Sequence, residues 1–384
     1  MIALSEPSFN GNELKYLKKC IQSGMVSSIG HYVDLFEKEI AKYTGSKYAT
    51  ACINGTSALQ ISLKLCGVKK NDEVIVPSLT FVATINAIKY NDGNPIFMDV
   101  DEFFNIDETK TIEFILNNTY QKKNYCFNKK TNNRIKAIIV VHMYGNAASI
   151  DKLYTICKKK NIKIVEDAAE SLGSRYLKGK FKNKHTGTIG EMGAVSFNGN
   201  KIITSGGGGM ILTNNKYLMK KAKYYTTQAK NSSKGYLHDD VGFNFRLSNI
   251  QSAIGLAQLE KLNKILTKKK KINQIYYKNL KNIKGMELMK NPNYSFNNCW
   301  INILLLKNNK KNKLMRLLNK KNIQVRPVWY PNHLQKMFKK NQTYKIEKSV
   351  NLFHKAICLP SSYKLSEKDI SYICKLIKSA KNIN

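Results

Sequence analysis

Between residues 48 and 213 the chain alternates short apolar runs with segments of helical period, and this alternation narrows the fold more than any other feature. Strand candidates fall at 48–53, 73–76, 95–98, 137–141, 163–166, 194–197 and 210–213, and helices fit 56–66, 81–90, 109–117 and 149–160. Two further helices are expected ahead of them, at 11–23 and 32–43. Strands separated by helices predict an α/β fold with a mostly parallel central sheet covered on both faces. Ligands of such sheets bind at the carboxyl ends of the strands. After Asn249 a long amphipathic helix over about 250–266 leaves the sheet. Two β-like runs, 299–306 and 323–329, follow it with helices at 311–320 and 367–380. We therefore expect two domains: residues 1–249, an N-terminal arm with the large sheet, and residues 250–384, a smaller α+β unit. The polar stretch 122–134 has no apolar period and reads as an inserted surface loop or hairpin.

The formal charge of +38 raises the question of nucleic acid. The chain has no zinc-finger spacing, no aromatic-and-basic RNA signature and no basic arm, and lysine runs such as 158–160 and 268–271 read as solvated helix faces. Only five of its 64 basic residues are arginines, so these mark places where a planar fork is needed that lysine cannot supply; Arg175, Arg246 and Arg326 lie in or beside the segments discussed below. No apolar run approaches the roughly 18 residues that span a bilayer, and residues 1–30 lack a long apolar core, so a cytoplasmic enzyme is expected. The eight cysteines are scattered without a CxxC pair, which points to free buried thiols and no metal site.

Three landmarks sit at strand ends. Gly55, Thr56 and Ser57 follow the first strand and open a helix, where N–H groups and hydroxyls suit a phosphate, although the same residues read equally as a capped helix start. Asp167 ends the 163–166 strand and could be a helix cap. Lys201 lies between the strand carrying Ser196 and four consecutive glycines, 206–209, on closely approaching backbone. The combination of phosphate turn, strand-end carboxylate and glycine-flanked lysine meets the needs of pyridoxal phosphate: an amine for the aldehyde, a carboxylate for the ring nitrogen and a cradle for the phosphate.

With those motifs in order, the chain resembles the sugar-aminating group of fold-type I aminotransferases, the DegT/DnrJ/EryC1/StrS family. The resemblance runs from SGMVSSIGHYVDLFE (23–37) through NGTSAL, PSLTFVATINAI (77–88), EDAAESLGS, SFNGNK and GFNFRLSNIQSAIGLAQLE to RPVWYPNH (326–333). It implies a fold-type I pyridoxal phosphate enzyme in which Lys201 is the Schiff-base lysine, Asp167 the partner of the ring nitrogen, and Gly55, Thr56, Ser57 and Ser196 the phosphate site. It implies further that Phe81 stacks on the ring, a position that reads otherwise as a core phenylalanine, and that Glu170 lies by the ring's phenolic side. Asn244 corresponds to an asparagine offered to the neighbouring subunit's phosphate, which implies a homodimer with shared active sites. Arg246 serves that loop or an internal ion pair.

The implied reaction is amination of a nucleotide-linked 4-keto sugar with L-glutamate as donor and pyridoxamine phosphate as the intermediate cofactor form. Asn198-Gly199-Asn200, Gly207, Glu170 and the insertion with residues 128–131 resemble the bacillosamine and legionaminic acid branch, and so imply UDP-2-acetamido-4-dehydro-2,6-dideoxyglucose as the sugar. The alternatives are a GDP- or dTDP-linked keto sugar, or a regulatory family member that binds the cofactor without turnover. Relatives that dehydrate deoxysugars carry histidine in place of the lysine, and Lys201 is present. Substrate contacts are expected from Ser27, Ser28 and Ile29, where a helix-capping serine pair is the competing reading, and from Arg326, Trp329 and His333. His185, after the basic segment 178–184, is expected on a solvent-facing loop.

Overall fold

The computed structural model describes residues 1–231, 235–307 and 310–379. Its strands through the first two thirds are β1 (Tyr48–Cys52), β2 (Glu73–Pro77), β3 (Asn94–Met98), β4 (Thr119–Lys122), β5 (Tyr125–Asn128), β6 (Arg134–Val141), β7 (Lys163–Asp167), β8 (Arg175–Tyr176), β9 (Met192–Ser196) and β10 (Gly209–Thr213). The large sheet runs β1-β10-β9-β7-β6-β2-β3, with the Thr343–Tyr344 strand on the far edge. Neighbours from β9 to that edge pair in parallel, whereas β10 is antiparallel to both β1 and β9. The expected mostly parallel α/β sheet is present.

Its strands are apolar on both sides because both sides are covered. Val74, Val76, Ile139 and Val165 belong to one buried cluster, whereas the intervening Ile75, Ile138, Val140 and Ile164 belong to a second on the opposite face. Each such side chain, removed from water, contributes about 1.5–3 kcal/mol. Helices α1 (Glu13–Gln22), α2 (His31–Thr44), α3 (Gly55–Leu65) and α4 (Val82–Lys89) lie within a residue or two of expectation. All eight cysteines are buried free thiols. Among the described residues no helix is long and apolar enough to cross a membrane.

The stretch 122–134 is a hairpin, not a loose loop. Lys123 and Asn124 both take positive φ between β4 and β5, and β5 adds to β6. Asn128 Nδ2 and Thr131 Oγ1 donate to the two oxygens of buried Glu73, at 2.8 Å each. The single helix expected over 250–266 is two helices, Asn249–Glu260 and Leu262–Leu280. The junction is Lys261, whose ammonium is held by Glu13 Oε1 at 2.5 Å and Ser8 O at 2.8 Å. That attachment leaves no trace in the periodicity.

A second sheet joins Met286–Leu288, Asn302–Leu306, Ala356–Leu359 and Arg326–Pro327 in that order, over a core that includes Leu304, Leu318, Ile357 and Ile373. The β-run expected over 323–329 shrinks to Arg326–Pro327. Ile2 bridges Ile323, and the Thr343–Tyr344 strand joins β3, so each terminal half sends a segment to the other's sheet. Sequence reading missed the Lys216–Thr226 and Lys348–Lys355 helices and the Ala356–Leu359 strand.

Candidate active site

Strand register gathers the site. Cys52 pairs with Gly209, Gly209 with Ser196, Ala194 with Asp167, and Asp167 with Val141. The ends of β1, β9, β7 and β6 and the start of β10 therefore share one sheet edge, beside a cavity of about 370 Å³. Gly55, Thr56, Phe81, Asp167, Glu170, Ser196, Lys201, Arg326 and Trp329 all line it. These residues come from positions 55 to 329, and the fold brings them together.

At one end of the cavity α3 begins. The Asn54 side chain accepts from Ser57 N at 2.8 Å, and Asn54 O from Ala58 N, which leaves Gly55 and Thr56 facing the cavity beside Ser196. A Cβ on Gly55 would stand 2.9 Å from Ser196 Cβ, and one on Gly209 would stand 2.5 Å from the backbone of Asn54. Only glycine permits this closeness, which brings the helix start and the Thr56 and Ser196 hydroxyls to the cavity, an arrangement that suits an anion. Ser57 itself is buried outside the lining, with its N–H spent on the cap.

Asp167 crosses the middle of the edge. Its Oδ2 accepts from Thr84 Oγ1 at 2.7 Å and its Oδ1 from Ala169 N at 3.1 Å. Lys201 follows a turn closed by its own N–H on Asn198 O. The Lys201 ammonium lies 3.9 Å from Glu170 Oε1 and 4.5 Å from the centre of the Trp300 ring. Glu170 is fixed by two donors, Tyr144 N to Oε2 at 2.9 Å and Trp329 Nε1 to Oε1 at 3.2 Å. Burial pushes its carboxyl above the ordinary carboxylate range; Lys201 opposes the rise and Asp167 adds to it. Tyr144 delivers its N–H from a left-handed backbone, φ 50° and ψ 29°, an uncommon state that persists where surroundings dictate it. Phe81 is 48% exposed at the start of α4, with its ring 5.0 Å from that of Trp329, so it is a wall of the cavity and not a core residue.

Other expected residues lie apart from this cavity. His333 Nδ1 bonds the Ser78 hydroxyl at the end of β2, and its ring is 6.5 Å from that of Phe97. Ser27, Ser28 and Ile29 form a largely exposed loop, and neither serine is the cap of α2: its N-cap is Gly30, and Asn249 Oδ1 accepts from Tyr32 N at 3.0 Å. Asn244 is exposed on a segment whose Phe245 O accepts from Ile53 N. Arg246 makes no ion pair among the described residues, so the internal-pair reading fails. His185 is fully buried and not on a solvent-facing loop: its Nε2 accepts from Gly173 N at 2.7 Å, and burial pushes the imidazole down to about 4. Thr84, Tyr144 and Trp300 were not singled out from sequence. The rarity of tryptophan, with two in the chain, was the available signal for Trp300.

The donor set fits pyridoxal phosphate: a cradle for a dianion, a buried carboxylate positioned by two donors, an amine nearby and an aromatic wall. The comparisons agree. The model of the DegT/DnrJ/EryC1/StrS aminotransferase family matches residues 7–378. GDP-perosamine synthase of Escherichia coli O157:H7 is 36% identical over 304 residues, covering 79% of this chain and 78% of the relative. A Bacillus subtilis protein, provisionally named as the pyridoxal phosphate-dependent aminotransferase EpsN, is 34% identical over 79% of this chain and 74% of its own. A DegT DnrJ EryC1 StrS aminotransferase from Brucella abortus superposes with a TM-score of 0.88 at 27% identity, covering 97% of this chain and 96% of that one. The chain therefore belongs to the DegT/DnrJ/EryC1/StrS aminotransferase family, as a pyridoxal phosphate-dependent enzyme that aminates nucleotide-linked sugars.

Proposed function

We propose that the chain moves the amino group of L-glutamate to the 4-keto carbon of a nucleotide-linked 4-keto-6-deoxyhexose. The observation that carries this reading is the meeting of Lys201, Asp167 and Glu170 beside the α3 cradle in a chain of this family. When bound, pyridoxal phosphate supplies an aldehyde that takes up the donor's amino group and a protonated ring that draws electrons from the carbon losing its proton. Lys201 Nζ removes the proton from the α-carbon of glutamate and, in the second half-reaction, delivers one to sugar C4. Asp167 would hold the ring nitrogen protonated; Gly55, Thr56 and Ser196 would hold the phosphate, and Phe81 would wall the ring. Glu170 fixes the geometry around the Lys201 amine, with its two oxygens already anchored by Tyr144 and Trp329. Arg326, exposed on the rim, offers a fork to the glutamate carboxylate or the sugar's diphosphate.

The similarity to GDP-perosamine synthase favours a GDP-linked sugar. A second reading, UDP-2-acetamido-4-dehydro-2,6-dideoxyglucose, is favoured by the Asn198-Gly199-Asn200, Gly207 and Glu170 variants and the β4–β5 hairpin. The two are separated by purified protein, cofactor, glutamate and a panel of GDP-, UDP- and dTDP-4-keto sugars, with products read by mass spectrometry. The GDP sugar is expected to have the highest kcat/KM. A pocket built around an acetamido group would instead reject it by up to about 10⁴-fold. No amination of any member would overturn the aminotransferase reading in favour of a regulator.

Asn244 and the exposed Met25, Val26 and Ile29 support a homodimer in which each subunit completes the other's site. Mixing Lys201→Ala chains with Asn244→Ala chains is expected to restore up to about a quarter of wild-type activity through heterodimers with one intact site. Monomers by light scattering at working concentration would defeat this.

A further inference from the structure

Lys201 is needed at the reacting carbon in each half-reaction, yet for part of the cycle its amine is bonded to nothing, and a free lysine side chain samples many rotamers. In the structure that amine has a defined place. Its ammonium lies 4.5 Å from the centre of the Trp300 ring and 3.9 Å from Glu170 Oε1, with only 12% of the side chain exposed. Trp300 is completely buried and cannot follow a wandering cation. Its Nε1 donates to Asn200 O at 2.7 Å, the carbonyl of the residue just before Lys201, so one indole fixes both the backbone and the head group of the lysine. The ring is itself braced: Tyr144 stacks beside it at 6.3 Å and 19°, the same Tyr144 that donates to Glu170. The Trp300 backbone is held as well, its carbonyl accepting from the buried Lys269 ammonium at 3.0 Å.

We propose that Trp300 is a positioning residue that parks the free Lys201 ammonium on its π face, opposite Glu170, between the amine's turns at the cofactor. The inference rests on the reading of Lys201 as the base. A desolvated cation over tryptophan is held more strongly than over any other aromatic ring, and the parked amine remains beside the cavity instead of escaping towards the rim. The Glu170 carboxylate supplies direction and the indole supplies a floor.

The test places increasingly fluorinated tryptophans at position 300 of the full-length protein. Fluorine empties the π face while nearly preserving shape, and it strengthens the N–H donor, so packing and the bond to Asn200 are retained. The readout is carbamylation of Lys201 by cyanate at pH 7.5, by peptide mass spectrometry, with exposed lysines of the same chain as internal reference. It is run both in the pyridoxamine phosphate form and without cofactor. As the ammonium loses its platform the amine leaves the ring more readily, and labelling is expected to rise in graded steps to on the order of tenfold. Trp300→Phe is expected to fall between wild type and Trp300→Leu, with thermal melting run alongside to exclude unfolding. Labelling that stays flat across the fluorinated series overturns the proposal even if Lys201 carries the cofactor. If borohydride instead fixes the cofactor on another lysine, the base assignment fails and a parked Lys201 has no bearing on the reaction.

Discussion

Lys201→Ala is expected to lower both half-reactions by roughly 10⁴-fold, the upper range for removal of a general acid–base group. Borohydride treatment of the wild type is expected to tether the cofactor to Lys201, and the same treatment of the variant to leave it free. Both outcomes follow from position. The lysine lies on the turn after β9, whose last residue, Ser196, pairs with Gly209, and this register holds it at the cavity edge with its ammonium 3.9 Å from Glu170. Folding should be spared. The side chain makes an ion pair and a ring contact, and Glu170, left without its cation, has a carboxyl already raised by burial and retains the Tyr144 and Trp329 donors. Pyridoxamine phosphate should still bind through Asp167 and the α3 cradle. The assignment is sunk if reduction maps to a different lysine, or if the alanine variant transaminates at the wild-type rate.

How much of this was legible in the sequence depended on whether the determining contact was local. β2, β6 and β7 were readable because a strand buried on both faces has to be apolar at every position, and Val74-Ile75-Val76 and Ile138-Ile139-Val140 are. Their carboxyl ends named Asp167, and the glycine run named Lys201. The break at Lys261 was not readable, since it depends on Glu13 and Ser8 far away in sequence. Nor was the Ala356–Leu359 strand, a short run that becomes a strand through pairing with Asn302–Leu306 and Arg326–Pro327. Tyr144 and Trp300 were missed for the same reason. Their value lies in a donor and a ring face aimed at Glu170 and Lys201, partners 26 and 99 residues away. His185 was misread because its neighbours are lysines, whereas its two ring nitrogens are satisfied by the backbone of Gly173 and Thr186.

Asp167→Asn separates charge from shape at the centre of the site. The carboxylate is held by two donors, Thr84 Oγ1 and Ala169 N. An amide can keep both contacts. Its oxygen accepts from Ala169 N, and its nitrogen donates to Thr84 Oγ1, a hydroxyl that can turn to accept because it also has Thr80 Oγ1 at 3.2 Å as a partner. Stability is therefore expected to change by no more than about 1 kcal/mol, the net worth of an ordinary hydrogen bond, as measured by denaturant unfolding. In the role proposed for Asp167 catalysis has no such substitute, because a neutral amide would not hold the ring nitrogen protonated, and the electron demand on the carbon losing its proton would disappear with that charge. We expect kcat to fall by about 10²–10³-fold in both half-reactions, the scale for removing one preorganised electrostatic partner from a water-poor site, with KM for the donor little changed. The loss has to appear at the chemical step: single-turnover rates that match the wild type, or a drop in activity that merely tracks lost folded protein, would remove Asp167 from the reaction and leave it as a structural end to β7.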